Sequence, residues 1–104
     1  MDKFSKELQD TLIQLGQVPD HFSEQQEHYI KHLLHLLTVQ DEVIFREYYG
    51  LFGTETHPLD DLAYKHGTDT ETMMNIIEKN LRKLAITPEW QQVIKPLITG
   101  QQKK

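Results

Sequence analysis

GTDTETMMNIIEKNLRKL, residues 67–84, is the stretch that decides the fold of this chain. Its apolar side chains recur at the 3.6-residue spacing of an amphipathic α-helix, namely Met73, Ile76, Ile77, Leu81 and Leu84. Gly67 precedes this helix as a turn residue, and Thr68 or Asp69 can cap its first turn. Arg82 and Lys83 suit the negative end of the helix dipole. A glycine turn followed by such a helix is typical of the second half of a helix-turn-helix.

The residues before this stretch predict two more helices of the same unit. Pro58 suits a first helical position, and the acidic pair at 60–61 favours the first turn of a short helix that stops at Gly67. Upstream, Thr38 can cap a third helix with Asp41 in the acceptor position, and Asp41 and Glu42 favour the positive end of its dipole. Gly50 or Gly53 is expected to end that helix. Counted from the N-terminus, these are the third, fourth and fifth helices of the chain.

Two further helices are predicted N-terminal to this unit. Residues 4–15 carry an apolar stripe at helical spacing, Phe4, Leu8, Leu12 and Leu15. Gly16 and Pro19 are expected to stop this first helix. Ser23 followed by Gln26 is a capping box, and it predicts a second helix over about 24–37 with the apolar side chains Ile30, Leu33, Leu34 and Leu37.

The C-terminal part predicts one last helix within residues 85–98, capped by Thr87 and packed on the motif through Trp90. A flexible tail is expected over residues 99–104. The whole chain, residues 1–104, is therefore predicted to be one all-α domain of five to six helices. Its parts are an N-terminal helical pair (1–36), a helix-turn-helix (37–84), the last helix and the tail.

Composition narrows the class of protein. The chain has 104 residues, no cysteine and a net charge of −5, and it has no apolar run long enough for a signal peptide or a membrane span. We therefore expect a soluble cytoplasmic protein without disulfides or thiolate zinc sites. No phosphate-binding glycine loop, nucleophile elbow or HExxH motif occurs, so the prediction is a protein that is not an enzyme and needs no cofactor.

The second predicted helix carries three histidines that are candidate metal ligands. His28, His32 and His35 stand at i, i+4 and i+7, a spacing that can bring imidazoles together. They lie opposite the apolar stripe, and neither a cysteine nor a cluster of carboxylates accompanies them. A polar, solvent-facing surface is the favoured interpretation, and no metal site is predicted.

Residues 37–84 resemble the fourth conserved region of bacterial sigma factors. The fragments YYGL at 48–51, LDDLA at 59–63, HG at 66–67 and LRKL at 81–84 occur in that family's order and with its spacing. The resemblance covers about 48 of the 104 residues and lacks the regions with which sigma factors hold melted promoter DNA. It implies a bacterial or phage transcription-associated regulator with two surfaces, a DNA-reading helix and a helix that docks on RNA polymerase.

The DNA-reading positions are only partly suited to DNA. The resemblance places contacts on Thr70, Glu71, Thr72, Met74 and Asn75, but threonine or methionine stands at three of these positions, where the family usually has a basic residue. From Thr38 to Leu84 there are nine acidic and five basic side chains, a net charge of −4. Because phosphate neutralisation supplies much of the affinity for DNA, we expect weak or partner-assisted binding. The expected contact residues are Thr70, Glu71, Met74 and Asn75, helped by Lys79, Arg82 and Lys83.

The third helix carries more apolar residues than a core-facing stripe requires. One interpretation is a partner surface for RNA polymerase or a sigma factor, formed by Ile44, Tyr48, Tyr49 and Phe52. The other is that the N-terminal helices cover this surplus. An alternative function keeps the fold without DNA, as a protein-interaction module that engages RNA polymerase, a sigma factor or a second copy of itself.

Overall fold

The computed structural model describes the backbone of residues 1–102 and the side chains of residues 1–98. Over this range the structure contains six α-helices and no strand, which confirms the predicted all-α fold of five to six helices. The helices are α1 (Lys3–Gln17), α2 (Glu24–Leu34), α3 (Val39–Tyr49), α4 (Leu59–Lys65), α5 (Thr70–Ala85) and α6 (Lys95–Gln102). A short 3₁₀ turn, Pro19–His21, links α1 to α2, and a π-helical segment, Glu89–Ile94, leads directly into α6.

Side-chain caps begin α2, α3 and α5 where the sequence predicts them. Ser23 and Gln26 form the complete capping box of α2. The hydroxyl of Thr38 accepts a hydrogen bond from the backbone N–H of Asp41 at 3.2 Å. Of the two candidates at the start of α5, the structure selects Asp69, whose carboxylate accepts from the N–H of Thr72 at 2.7 Å.

Helix ends depart further from the prediction than helix starts. α2 ends at Leu34 rather than near residue 37, because the next three residues tighten into i→i+3 hydrogen bonds, including Leu37 N–H to the Leu34 carbonyl at 3.0 Å. The C-terminal helix continues through Pro96 to Gln102, although residues 99–104 were predicted to be a flexible tail. A proline ring clashes with the carbonyl four residues before it, and the widened π-helical turn just before Pro96 relieves that clash. Residues 103–104 lie outside the described residues.

The buried side chains form one cluster to which all six helices contribute. The cluster includes Leu8 of α1, Ile30 of α2, Phe45 of α3, Leu62 of α4, Ile77 of α5 and Ile98 of α6, and Trp90 of the π-helical segment is also fully buried. The N-terminal helical pair therefore packs on the same core as α3, α4 and α5. None of the described helices combines the length and the apolar composition that a bilayer crossing requires.

The sequence predicts that Gly16 stops α1, but the helix continues through Gly16 to Gln17. The reason lies in packing: a Cβ atom at residue 16 would overlap the backbone carbonyl of Tyr49, at the end of α3. Glycine at this position lets two helix backbones come closer than any other residue type would allow. Gly16 is therefore a packing residue that sets the distance between α1 and α3.

Replacing this glycine tests the close approach. Gly16→Ala should improve the helix propensity of α1 by up to about 1 kcal/mol. We nevertheless expect a net destabilisation of roughly 1–3 kcal/mol, because the backbone of α3 must move to admit the new methyl group. Urea unfolding would measure it, with the exposed Gln14→Ala in the same helix as the control, expected within about 0.5 kcal/mol of the parent protein. Equal or greater stability of Gly16→Ala would contradict the packing role.

Candidate nucleic-acid interface

Helices α4 and α5 are joined by the four-residue turn 66–69, at the positions where the sequence predicts the two helices of a helix-turn-helix. Gly67 has a φ of +70°, which glycine adopts without strain, and the next N–H, of Thr68, closes the end of α4 by donating to the Ala63 carbonyl at 2.8 Å. Across the turn, Leu62 of α4 and Met73 of α5 are fully buried in the common core. The turn and the core together fix the angle at which α5 leaves the domain.

A buried carboxylate on α3 ties α4 to the rest of the unit. Glu47 is only 6% exposed. One of its carboxylate oxygens accepts a hydrogen bond from Lys65, and the other lies 3.3 Å from Nε2 of His66. Its backbone carbonyl also accepts from the N–H of His57, at 2.8 Å, in the loop before α4. Both ends of α4 are thus anchored to a single residue of α3.

The pKa of Glu47 follows from these contacts. Burial by itself raises the pKa of this carboxyl, because it disfavours the charged form. Hydrogen bonds from Lys65 and His66, together with their positive charges, outweigh burial and hold the pKa below its ordinary value. The ionised form of Glu47 is therefore the one that the folded protein stabilises.

A second polar contact positions α5 against the start of α3. Asn80 is 4% exposed, and its side-chain amide donates to a carboxylate oxygen of Asp41 at 3.0 Å. A buried amide without a partner would cost roughly 1–3 kcal/mol, so this bond restricts how α5 can rotate. The face of α5 opposite Asn80 and its apolar neighbours is thereby held toward solvent.

That outer face contains the residues predicted to contact DNA. Six of the seven are exposed and none of the six is covered by α1 or α2, namely Thr70, Glu71, Asn75, Lys79, Arg82 and Lys83. Met74, the seventh, is half-buried because it lies at the edge of the core-facing stripe. The structure therefore brings the predicted contact residues onto one continuous accessible face.

Charge along this face is divided between the two ends of α5. The acids Asp69 and Glu71 are at its N-terminal end, Glu78 is near the middle, and the cations Lys79, Arg82 and Lys83 are in its last two turns. Asp69 has a lowered pKa because the backbone N–H and the side chain of Thr72 donate hydrogen bonds to it. This order suits the helix dipole, but it places negative charge at the end that would enter a DNA groove first.

One of the three cations is already paired within the protein. Nε of Arg82 lies 3.5 Å from a carboxylate oxygen of Asp2, the residue that caps α1. The pKa of Asp2 is lowered, chiefly by the hydrogen bond from the Ser5 backbone and to a smaller extent by Arg82. Both side chains are substantially exposed, so the pair is weak. The N-terminus of α1 nevertheless brings an acid to the rim of the candidate interface.

The prediction of a partner surface on α3 is wrong for two of its four residues, which are buried. Ile44 is 2% exposed and Tyr49 is 6% exposed, because both belong to the common core, and α1 packs directly against Tyr49. The Tyr49 hydroxyl donates to the side-chain oxygen of Gln9 on α1 at 3.0 Å, and burial raises the pKa of Tyr49 well above its ordinary range. Tyr48 and Phe52 keep partial exposure.

Some surface features were missed at the sequence level. Tyr64 on α4, one turn before the glycine turn, is 89% exposed. Its exposure could have been predicted, because Tyr64 lies outside the set of apolar residues that faces the core in this helix. The proximity of Asp2 to Arg82 could not be predicted from the sequence, because 79 residues separate them.

The histidine rings of α2 stack edge to face, with the His28 and His32 centroids 4.9 Å apart. In the described part of the chain, no group of three or more side chains suits a metal ion.

Comparisons with protein-family models, with curated proteins and with solved structures find no match to this chain. The sigma factor resemblance of residues 37–84 therefore rests on its motifs. The outer face of α5 is the candidate site on the strength of its geometry, since it is accessible, continuous and held in place by Glu47 and Asn80.

The Glu47 anchor predicts a specific loss of stability in acid. Because its pKa is lower in the folded protein than in the unfolded chain, its contribution is complete above the ordinary glutamate range and is lost as the pH falls through the folded pKa. Glu47→Gln should cost about 1–2 kcal/mol at neutral pH and should flatten the decline in stability below about pH 4.5. Urea unfolding from neutral to acidic pH would measure both effects. The exposed Glu55→Gln serves as control, and parallel acid declines in the parent and Glu47→Gln would refute the anchor.

Proposed function

We propose that this protein is a transcription-associated regulator that contacts duplex DNA weakly through the outer face of α5 and depends on a partner for the rest of its affinity. The observation that carries this proposal is the accessible face of α5 within a helix-turn-helix whose turn and core are well defined. An α-helix fits the B-DNA major groove, and α5, with 16 residues, is about 24 Å long. The proposed role is not enzymatic and requires no cofactor.

The side chains on this face support distinct contacts. Asn75 can pair with the edge of adenine, and Glu71 can accept a hydrogen bond from cytosine. Lys79 and Lys83 are exposed and have no ion-pair partner among the described residues, so they are free to bind phosphates. Thr70 and Met74 carry no charge and would contribute neutral contacts to the DNA.

Weak affinity follows from the distribution of charge. The cations occupy only the last two turns of α5, and one of them is near Asp2. The acids at the other end repel phosphates, so the net electrostatic attraction is small. A partner that brings basic side chains to the same DNA would supply what this helix lacks. RNA polymerase or a sigma factor would fit that role, with Tyr48 and Phe52 as the part of the predicted docking surface that keeps exposure.

A second candidate function is a protein-interaction module on the same fold, without DNA. The observation that favours it is an apolar cleft of 410 Å³ between α2 and the π-helical segment, bordered by the half-exposed side chains of Leu36 and Val93. Exposed apolar surface of this kind often marks a contact with another protein. The partner in this case would be RNA polymerase, a sigma factor or a second copy of the chain.

A salt titration distinguishes the two functions. If α5 binds duplex DNA, Lys79→Ala and Lys83→Ala should each weaken binding several-fold at low salt and reduce the slope of log affinity against log salt by about one. Fluorescence anisotropy with a labelled random-sequence duplex would measure this. Lys31→Ala, on α2, is the control and should leave the slope unchanged. If the parent shows no salt-dependent binding with or without core RNA polymerase, the DNA function is excluded and the interaction module is favoured.

Releasing Arg82 from its acidic neighbour should have the opposite effect. Asp2→Asn removes the negative charge but keeps a side-chain oxygen that can cap α1. We expect this variant to bind duplex DNA about two- to fivefold more tightly at low salt, with the gain disappearing at high salt. Asp10→Asn, which removes an acid farther along α1, is the matched control. Unchanged affinity in Asp2→Asn would show that Arg82 does not contact the phosphates.

A further inference from the structure

A cleft whose lining includes no residue of α5 lies where α1 meets the end of α3 and the loop that precedes α4. The cleft there has a volume of 510 Å³, within the roughly 300–1,000 Å³ typical of small-molecule sites. Its walls include Gln9, Ile13 and Gln17 of α1, Tyr48 of α3, and Thr56 and His57 of the loop. None of these residues is proposed to touch DNA, and of them only Tyr48 also belongs to the proposed partner-docking surface.

The walls of this cleft are held by contacts within the protein. The Tyr49 hydroxyl donates to Oε1 of Gln9, which joins α3 to α1 directly beneath the opening. The N–H of His57 donates to the Glu47 carbonyl at 2.8 Å, which fixes the loop side. The close backbone approach at Gly16 limits relative movement of α1 and α3. A pre-formed site of this kind loses little conformational freedom when a ligand enters.

The lining combines polar side chains with apolar surface and contains no lysine, arginine, aspartate or glutamate. Because Oε1 of Gln9 is occupied by Tyr49, its amide N–H₂ remains as a donor. The side chains of Gln17, Tyr48, Thr56 and His57 make no hydrogen bond to the described residues, so donors and acceptors are available on three sides. Ile13 and the tyrosine rings supply apolar and aromatic surface, with the rings of Tyr48 and Tyr49 edge to face at 4.9 Å.

These features match a flat heteroaromatic ring with hydrogen-bonding edges. An aromatic wall suits stacking, and amide and hydroxyl groups suit the donor and acceptor edges of a base. No lysine or arginine lines the cleft, and the negative charge of Glu78 acts on its tyrosine wall. An attached phosphate would therefore be disfavoured. We propose that this cleft binds an uncharged nucleobase or nucleoside and that the ligand bridges α1 to the helix-turn-helix.

Four nucleosides test this site directly: adenosine, guanosine, cytidine and uridine, titrated into the full chain and followed by ¹H–¹⁵N NMR shifts. At least one should bind saturably, with a dissociation constant between about 10 µM and 1 mM, as expected for a ligand of this size. Shifts should centre on residues 9–17 and 56–58. Its 5′-monophosphate should bind roughly threefold more weakly or worse, since the lining offers phosphate no cation.

Matched variants separate binding in the cleft from binding elsewhere. Ile13→Trp should abolish binding by filling the cleft, and Gln17→Ala should weaken it about three- to tenfold through loss of a hydrogen bond. Gln14→Ala is the control. It also removes an exposed glutamine side chain from α1, but Gln14 lies on another flank of the helix and does not line this cleft. Circular dichroism would confirm that each variant is folded. No saturation by any nucleoside below about 10 mM, tighter binding of the monophosphate, or full binding by Ile13→Trp and Gln17→Ala would each overturn the proposal.

The outcome is independent of the DNA titration. The cleft and the outer face of α5 share no residue, and the nucleosides carry no phosphate for Lys79 or Lys83 to attract. Failure of duplex binding would leave the nucleoside result intact, and failure of nucleoside binding would leave the α5 function intact.

Discussion

The backbone contact between Gly16 of α1 and the Tyr49 carbonyl at the end of α3 is the constraint on which much of this protein depends. Together with the hydrogen bond from the Tyr49 hydroxyl to Gln9, this contact holds α1 against the end of α3, where Tyr49 is a core residue. Tyr49 also lines the cleft beside Gln9 and His57. The start of α1 reaches the rim of α5, where Asp2 meets Arg82. A single small residue thus permits the close approach of α1 to the end of α3.

The electrostatics of α5 satisfy the needs of the helix more fully than those of a DNA contact. Acids at its N-terminal end and cations at its C-terminal end both act favourably on the helix dipole. Tight phosphate binding would instead require cations near the N-terminal end, where Asp69 and Glu71 stand. Asn80 joins α5 to α3 and Glu47 joins α4 to α3, each through a buried polar group, and the outer face of α5 stays exposed. This combination is consistent with a helix that acts alongside a second basic surface.

Predictions that depend on local chemistry were accurate. Capping residues at Ser23 and Thr38 form their expected hydrogen bonds because a cap involves only groups three residues apart. Predictions that depend on packing were less accurate. Gly16 has the composition of a helix stop, but its role comes from a carbonyl 33 positions away in the sequence. The end of α2 and the passage of a helix through Pro96 likewise depend on the surroundings of the backbone, which no periodicity reveals.

The sequence by itself determined the all-α class, the positions at which the helices begin and the apolar side of each helix, because apolar spacing and capping are local properties of the chain. It also determined the charge order along α5, and hence the expectation of weak DNA contact, which stays a prediction. Only the tertiary structure decided which apolar residues of α3 are covered, which acid approaches Arg82 and where a cleft forms. These features arise where helices distant in sequence meet, since the distance and angle between two packed helices depend on the side chains of both.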